Sequence, residues 1–235
     1  MLCLKSLKRI CFQFAAFLFA GSLLSACFSA KATPIPERFT IQYTPASSAW
    51  LAVLENCAGT NLVSVEQRTT SFLDPNSVDL VIRIGMAGIQ PPHAYQIGKD
   101  DLVVILNPKN PIKTLTKAQV LGLFTGQLAG WQELKGSNSP VQVWAFNSGD
   151  DIQQVFDRSI MGGSLVVSTA RLANNPTEML TAVANDTNAI GIINRRAKTD
   201  EVSGAFTAAS DLPVLAITST EPNGTLLGIL ACMQK

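Results

Sequence analysis

The sequence lacks most of the residues and motifs from which catalytic and metal sites are built. It has one histidine, His93, which follows two prolines and has no cluster of cysteines or acids beside it. A lone histidine does not make a zinc site, and no Ser-His-Asp or Cys-His arrangement can be assembled around it. Neither a GxxxxGKS/T nor a GxGxxG motif is present, so nucleotide chemistry has no support. We therefore expect a protein that is not an enzyme and has no catalytic residue, metal or cofactor.

The sequence also lacks a strong charge of either sign. Its formal net charge is +1, but three of its 18 basic residues, Lys5, Lys8 and Arg9, lie at the N-terminus. The rest of the chain has 15 basic residues against 17 acidic ones, or −2. Such a near-neutral body has no electrostatic footprint for nucleic acid. At 235 residues and 47% hydrophobic, the chain can bury the core of one or two domains.

Residues 1–27 have the pattern of a lipoprotein signal peptide. The basic N-terminus is followed by an apolar run, Ile10 to Leu24, and then by Leu24-Ser25-Ala26-Cys27, which is typical of a lipobox with lipidation at Cys27. An uncleaved membrane anchor is the alternative, but the apolar run of about 15 residues is shorter than the roughly 20 that span a bilayer. Residues 28–38, with Pro34 and Pro36, are predicted to form a tether.

The stretch from Lys99 to Asp151 organises the rest of the chain. Apolar runs, breaks and helix starts alternate in it as they do in α/β domains, and its first strand is predicted to cross between two lobes. In chain order the predicted elements are a strand from Leu102 to Leu106, a helix from Leu115 to Gly126, a loop with Trp131, a strand from Val141 to Phe146, and a helix start at Ser148 to Asp151.

This stretch resembles the phosphate-type periplasmic binding proteins, the type II solute receptors of ABC transporters. That family has a strand ending in Asn, a segment like lTleqladIFsGkitnW, and then a segment like I.V..R..GSGT...F. The similarity extends over about residues 39–194 and is dense only in the middle third. The matching residues are Leu106, Asn107, Leu115, Thr116, Val120, Leu123, Phe124, Thr125, Gly126, Trp131, Val141, Val143, Gly149 and Phe156.

The resemblance implies a two-lobed α/β fold in which each lobe is a small mixed sheet flanked by helices. Lobe I would comprise residues 39–104 and 213–235, and lobe II residues 105–212. Ligands of such proteins lie between the lobes, against strand ends and helix N-termini. The remaining predicted elements are strands at 39–43, 62–66, 79–85, 188–193 and 213–218, and helices at 49–57, 152–160, 177–185 and 225–233.

Two helix starts are predicted to contribute to the ligand site. In the resembled family the first strand-to-helix turn is rich in Ser and Thr and its amides contact the ligand; Ser47 and Ser48 occupy that turn here. A helix N-terminus with free N–H groups and hydroxyls suits an anion, but ordinary N-capping is an equally good explanation. The second-lobe helix start adds Asn147, Ser148 and Gly149 to the predicted ligand-binding residues.

Arg83 interrupts the apolar run 79–85, where the family has a small polar residue and an acid at the cleft. An arginine inside a buried strand needs a partner or solvent. It could reach into the cleft and grip an anionic group bidentately, and on this ground it joins the predicted ligand-binding residues. The commoner arrangement for arginine is that it pairs nearby, here with Asp79, or extends to the surface.

The start of the second-lobe helix departs from the family pattern Arg-x-x-Gly-Ser-Gly-Thr. This chain has Phe146 in place of the Arg, and Asp150 and Asp151 in place of a Ser and a Gly. Carboxylates would repel a bound dianion, and no nearby cation is evident in the sequence. Capping by Ser148, with both acids in the positive first turn, is a structural explanation. The ligand is therefore expected to be another oxyanion, a small polar molecule or none.

The number and positions of the cysteines are consistent with an exported protein. Cys3 and Cys11 leave with the leader and Cys27 would carry lipid, so Cys57 and Cys232 remain as an even pair in an oxidising compartment. The resemblance places the helices of both in lobe I, which favours a disulfide between them. Two buried free thiols are the alternative.

These observations predict an extracytoplasmic lipoprotein, anchored to the cell membrane and monomeric. It would capture a small anionic or polar solute, a phosphate-like oxyanion, in the interlobe cleft and deliver it to an ABC transporter permease. The alternative is a surface sensor or accessory domain of the same fold that binds no ligand or binds a protein. The acids at 150 and 151 favour the alternative, and the Ser-rich helix starts favour capture.

Overall fold

The computed structural model describes residues 35–85 and 93–235. The predicted signal peptide, the lipidation site Cys27 and most of the predicted tether therefore lie outside the described residues. No helix in the two described ranges has both the length and the apolar character needed to cross a bilayer.

The strands of the described chain form one mixed sheet with the order β2-β1-β3-β8-β4-β7-β5-β6. The first three strands along this order are parallel to one another, as are the last three. Between them, β8 and β4 run antiparallel to each other and to their neighbours β3 and β7. The strands are β1 Arg38–Tyr43, β2 Leu62–Gln67, β3 Leu80–Ile84, β4 Ala94–Leu106, β5 Gln142–Phe146, β6 Arg171–Ala173, β7 Ala189–Asn194 and β8 Ser203–Ile217.

The helices cover the faces of this sheet. They are α1 Leu51–Ala58, α2 Lys117–Thr125, α3 Asp151–Phe156, α4 Pro176–Asn185 and α5 Gly224–Met233. Helix α3 continues into a π-helical turn, Asp157–Met161. Shorter 3-10 turns are Pro45–Trp50, Thr70–Phe72, Trp131–Leu134 and Arg195–Ala197.

The middle of the chain folds as its pattern predicts. Helix α2 begins at Thr116, whose side chain accepts a hydrogen bond from the Gln119 N–H, and it ends at Gly126 with φ of 77°. Trp131 is fully buried, and its indole N–H donates to the Asn188 carbonyl at 3.0 Å. The predicted strand–helix–loop–strand–helix order is confirmed.

Strands β4 and β8 are longer than predicted, because each continues past its apolar half. They pair from Ala94 opposite Ile217 to Leu106 opposite Ser203, with several register shifts on the way. The first half of β4 carries polar residues, and the sequence pattern therefore missed it. One of them, Asp100, is nevertheless buried because it accepts hydrogen bonds from Asn194 Nδ2 at 2.8 Å and from the Arg196 N–H at 3.1 Å.

Cys57 of α1 and Cys232 of α5 form a disulfide, with their Cα atoms 5.7 Å apart, although the two residues are separated by 175 positions in the sequence. The bond joins the first and last helices of the described chain. It therefore ties the C-terminal helix to the same side of the fold as β1 and β2.

The predicted α/β fold class is confirmed. The paired strands β4 and β8 connect a β1–β3 half of the sheet to a β5–β7 half, which is where the sequence predicts the passage between lobes. The lobe boundaries at residues 104/105 and 212/213 stay a prediction.

Candidate anion-binding site

Three parallel strands bring polar groups to one edge of the sheet. Strands β1, β2 and β3 are adjacent, with Tyr43 paired to Gln67 and to Ile82, so their carboxyl ends lie together. The chain leaves β1 through Thr44, leaves β2 toward Thr70, and ends β3 with Arg83 and Ile84. Strand ends of this kind are where α/β proteins place ligand-binding groups.

The hydroxyls of Thr44 and Thr70 donate to the same side chain, the carboxylate of Asp151. Thr44 Oγ1 is 2.7 Å from Oδ2, and Thr70 Oγ1 is 2.7 Å from Oδ1. Thr44 is fully buried, and its backbone is extended because it stands directly before the turn Pro45–Trp50. The two hydroxyls therefore approach the carboxylate from two different strand ends.

Strand β3 supplies the remaining donors. Arg83 Nη2 lies 2.9 Å from Oδ1 of Asp151, and the Ile84 N–H lies 3.0 Å from Oδ2. The Arg83 side chain is 21% exposed, whereas that of Asp151 is 0% exposed. We call the hydroxyls of Thr44 and Thr70, the guanidinium of Arg83 and the N–H of Ile84 the anion cradle.

Asp151 is the first residue of α3 and is held at the anion cradle by the cap of that helix. The N-cap is Asp150, whose carboxylate accepts hydrogen bonds from the N–H groups of Ile152 at 2.8 Å and Gln153 at 3.4 Å. Burial of Asp150, and next the charge of Asp151, raise the pKa of Asp150 to about 7. The predicted cap by Ser148 is therefore wrong: the helix begins two residues later, because Asp150 is better placed to accept these two bonds.

A sequence model described as the PBP superfamily domain matches residues 19–225 of the chain. The chain belongs to this family.

Solved structures with the same fold agree with the PBP-superfamily assignment. A Clostridium perfringens protein named as a phosphate ABC transporter substrate-binding protein, with bound phosphate, aligns with a TM-score of 0.76 at 16% identity, over 84% of this chain and 93% of that one. An ABC-type phosphate transport receptor from Vibrio cholerae aligns with a TM-score of 0.64 at 20% identity, over 84% and 93%. The OxyR2 regulatory domain from Vibrio vulnificus has a TM-score of 0.59 at 9% identity, over 85% and 97%. At these identities the similarity shows the fold.

Of the two serines predicted at the first helix start of this PBP-superfamily chain, Ser47 is bonded to Thr44 of the cradle. Ser47 is fully buried, and its hydroxyl donates to the carbonyl of Ile82 at 2.8 Å and accepts from the Thr44 N–H at 3.1 Å. It therefore fixes Thr44 against β3. Ser48 makes no side-chain hydrogen bond to any described residue.

Asn147, Ser148 and Gly149 form a loop that lies against the turn that carries Thr70. The Gly149 carbonyl accepts from the Thr70 N–H at 3.2 Å, and Asn147 Oδ1 accepts from the Gly149 N–H at 3.0 Å. Ser148 is exposed. These predicted residues flank the cradle, and none of the three bonds to the Asp151 carboxylate.

Arg83 extends to the start of α3, where its partner is the Asp151 carboxylate of the same chain. The expected pairing with Asp79 is wrong, because the Asp79 carboxylate accepts from the N–H and hydroxyl of Thr40 at 2.7 and 2.8 Å. The expectation that no cation offsets the acids at the helix start is also wrong, because Arg83 pairs with Asp151 over 68 positions of sequence.

The sequence interpretation missed Thr44, Thr70 and the Ile84 N–H. Their common signal was position, since each stands at or just after the end of a parallel strand. Among the described residues, no group of three or more His, Cys, Asp or Glu side chains is arranged to hold a metal ion.

Proposed function

We propose that this PBP-superfamily chain is an extracytoplasmic receptor that captures a small anion in the cleft between its lobes and delivers it to an ABC transporter, without covalent chemistry. The observation that supports the proposal is the convergence of two hydroxyls, a guanidinium and a backbone N–H on one carboxylate. Such donors, aimed at a single point beside strand ends, are the chemistry with which proteins bind anions.

Every donor of the anion cradle comes from residues 44–84, whereas its occupant Asp151 comes from the predicted second lobe. If the lobes open about β4 and β8, the cradle stays whole and Asp151 withdraws with α3. A solute anion then takes the place of the carboxylate. In this account the solute anion competes with Asp151, because the chain's own carboxylate occupies the cradle in the closed form without solute.

The membrane attachment is part of the same proposal. Lipidation of Cys27, a tether at residues 28–38 and a monomeric receptor would keep the cleft close to a permease. Replacing Cys27 with Ser should abolish incorporation of a labelled fatty acid into the expressed protein. Unchanged labelling of that variant would count against the lipid anchor.

A second candidate function has an observation of its own. The Asp151 carboxylate is fully buried and has four donors, so the cleft is complete without any solute. A protein that is closed in this way could serve as a sensor or accessory domain that contacts another protein rather than carrying cargo.

Thermal unfolding of the purified protein with a panel of anions separates the two candidates. A ligand that binds only the folded state raises the melting temperature in proportion to the logarithm of its concentration. The receptor proposal expects such a concentration-dependent rise with at least one small anion, and loss of that rise in Thr44→Val and Arg83→Gln. A well-folded protein that responds to none of the anions would favour the accessory role.

A further inference from the structure

We infer that the anion cradle is a carboxylate site, and that the solute which displaces Asp151 carries a carboxylate group rather than a phosphate. The inference rests on the proposed receptor function for the solute, but the chemistry of the cradle can be tested without it. It is drawn from the number and position of the donors, from the local charge and from one unpaired donor.

The donors of the cradle are divided equally between two oxygen atoms. Oδ1 of Asp151 accepts from Thr70 Oγ1 at 2.7 Å and Arg83 Nη2 at 2.9 Å. Oδ2 accepts from Thr44 Oγ1 at 2.7 Å and the Ile84 N–H at 3.0 Å. No other described residue donates to this carboxylate. The four donors that are in use therefore satisfy an anion with two oxygens, whereas a phosphate would bring two further oxygens, for which the only other buried donor of the cradle is Arg83 Nε.

The charge of the cradle matches a single negative charge. Arg83 is its one cation, and Asp151 neutralises it in the closed form. A dianion would leave an uncompensated charge in a buried site beside Asp150, a second carboxyl group that is itself almost fully buried. A monocarboxylate replaces Asp151 with no change in net charge, which avoids that penalty.

One buried donor atom of the cradle is unused. Arg83 Nε is buried and has no acceptor among the described residues. Asp151 is fixed to the start of α3 and bonds to Nη2 alone. A carboxylate that is not part of a helix can shift along the guanidinium and use Nε together with Nη2, the bidentate arrangement in which arginine binds carboxylates best. This additional bond gives a free solute a means of competing with the tethered side chain.

Chemical rescue of Asp151→Ala tests the inference directly. The variant removes the occupant and leaves the four donors around a space the size of a carboxylate group. We expect acetate and formate, at concentrations well above their Kd, to raise its melting temperature by roughly 3 °C or more, while phosphate and sulfate at equal ionic strength do no more than chloride. If the variant does not fold alone, its refolding yield with acetate against phosphate gives the same comparison.

Asp100→Ala is the matched control. Asp100 is also buried and accepts bonds from an amide and from backbone N–H groups, but no guanidinium or hydroxyl is bonded to it. Acetate should not stabilise Asp100→Ala above the chloride level. In the double variant Arg83→Gln/Asp151→Ala the rescue should also disappear, which assigns it to the cradle.

The outcomes separate the inference from the proposed function. Rescue of Asp151→Ala by acetate, with a carboxylate also stabilising the wild type, supports both. Rescue of the variant with no response of the wild type supports the carboxylate site and contradicts solute capture. Stronger rescue by phosphate or sulfate overturns the carboxylate assignment and leaves the receptor function standing, and no rescue by any anion overturns the inference.

Discussion

Asp151 and Arg83 form a partly buried ion pair, with Nη2 of the arginine 2.9 Å from Oδ1 of the fully buried aspartate. At both positions the sequence departs from the pattern of phosphate-type receptors: Arg83 lies where that family has a small polar residue and an acid, and Asp151 where it has a small residue. Each departure alone would place an unpaired charge in a largely buried site. Together they neutralise each other, which explains how the fold can keep both.

The stability of the protein should fall as the pH rises from about 4 to about 7. Folding raises the pKa of Asp150 to about 7. The folded protein therefore keeps the proton of the Asp150 carboxyl group over a pH range in which the unfolded chain has released it. The unfolded state then binds fewer protons, which makes the slope of stability against pH negative up to about pH 7 and flat above it. Urea unfolding of the wild type and of Asp150→Asn at several pH values measures the effect.

The variant Asp150→Asn is suited to this comparison because asparagine is also a good N-cap and has an oxygen to accept the bonds from Ile152 and Gln153. It should lose this component of the pH dependence without losing the helix. If wild type and variant show the same pH dependence, Asp150 does not titrate as described.

Loss of the disulfide should destabilise the protein by about 2–5 kcal/mol, because the bond between Cys57 and Cys232 restricts a long segment of the unfolded chain. The urea midpoint of the wild type should fall on addition of a reductant. The double variant Cys57→Ala/Cys232→Ala should start from the lower midpoint and show no response to reductant. Equal midpoints for the oxidised and reduced wild type would contradict the prediction.

Gly98 on β4 has no room for a side chain. A Cβ atom there would lie 2.0 Å from Cη2 of Trp50, whose ring is buried. Gly98→Ala should therefore cost about 1–3 kcal/mol through overpacking. Gly228, in the exposed face of α5, has nothing within 4 Å of the same position, and Gly228→Ala should stabilise the protein by about 0.5–1 kcal/mol. Urea unfolding of both variants checks the pair; equal effects would contradict the packing described at Trp50.

More of the fold than of the candidate site could be predicted from the sequence. Local periodicity and caps were sufficient for α2, with Thr116 and Gly126 at its ends, because these signals act within a few residues. The first half of β4 was missed because its polar residues find their partners on distant segments, as Asp100 does at Asn194. Tertiary contacts of this kind leave no local pattern.

The candidate site could be predicted only in part, again because its contacts join distant segments of the chain. Arg83 was recognised as unusual because a charge in an apolar strand is a local anomaly, but its partner could not be identified among the acids of the chain. The hydroxyls of Thr44 and Thr70 are ordinary residues in sequence, and only the parallel pairing of β1, β2 and β3 brings them together.

The central claim is that the cradle and Asp151 act as one unit, and a double-mutant cycle of Arg83→Gln and Asp151→Asn tests it most directly. Each single variant leaves a buried partner unpaired and should lower the free energy of unfolding by about 3 kcal/mol. The double variant should lose about 4 kcal/mol rather than the additive sum of about 6 kcal/mol, which corresponds to a coupling energy of about 2 kcal/mol in urea unfolding. Additive losses, with a coupling below about 0.5 kcal/mol, would contradict the account of a cradle occupied by the chain's own carboxylate.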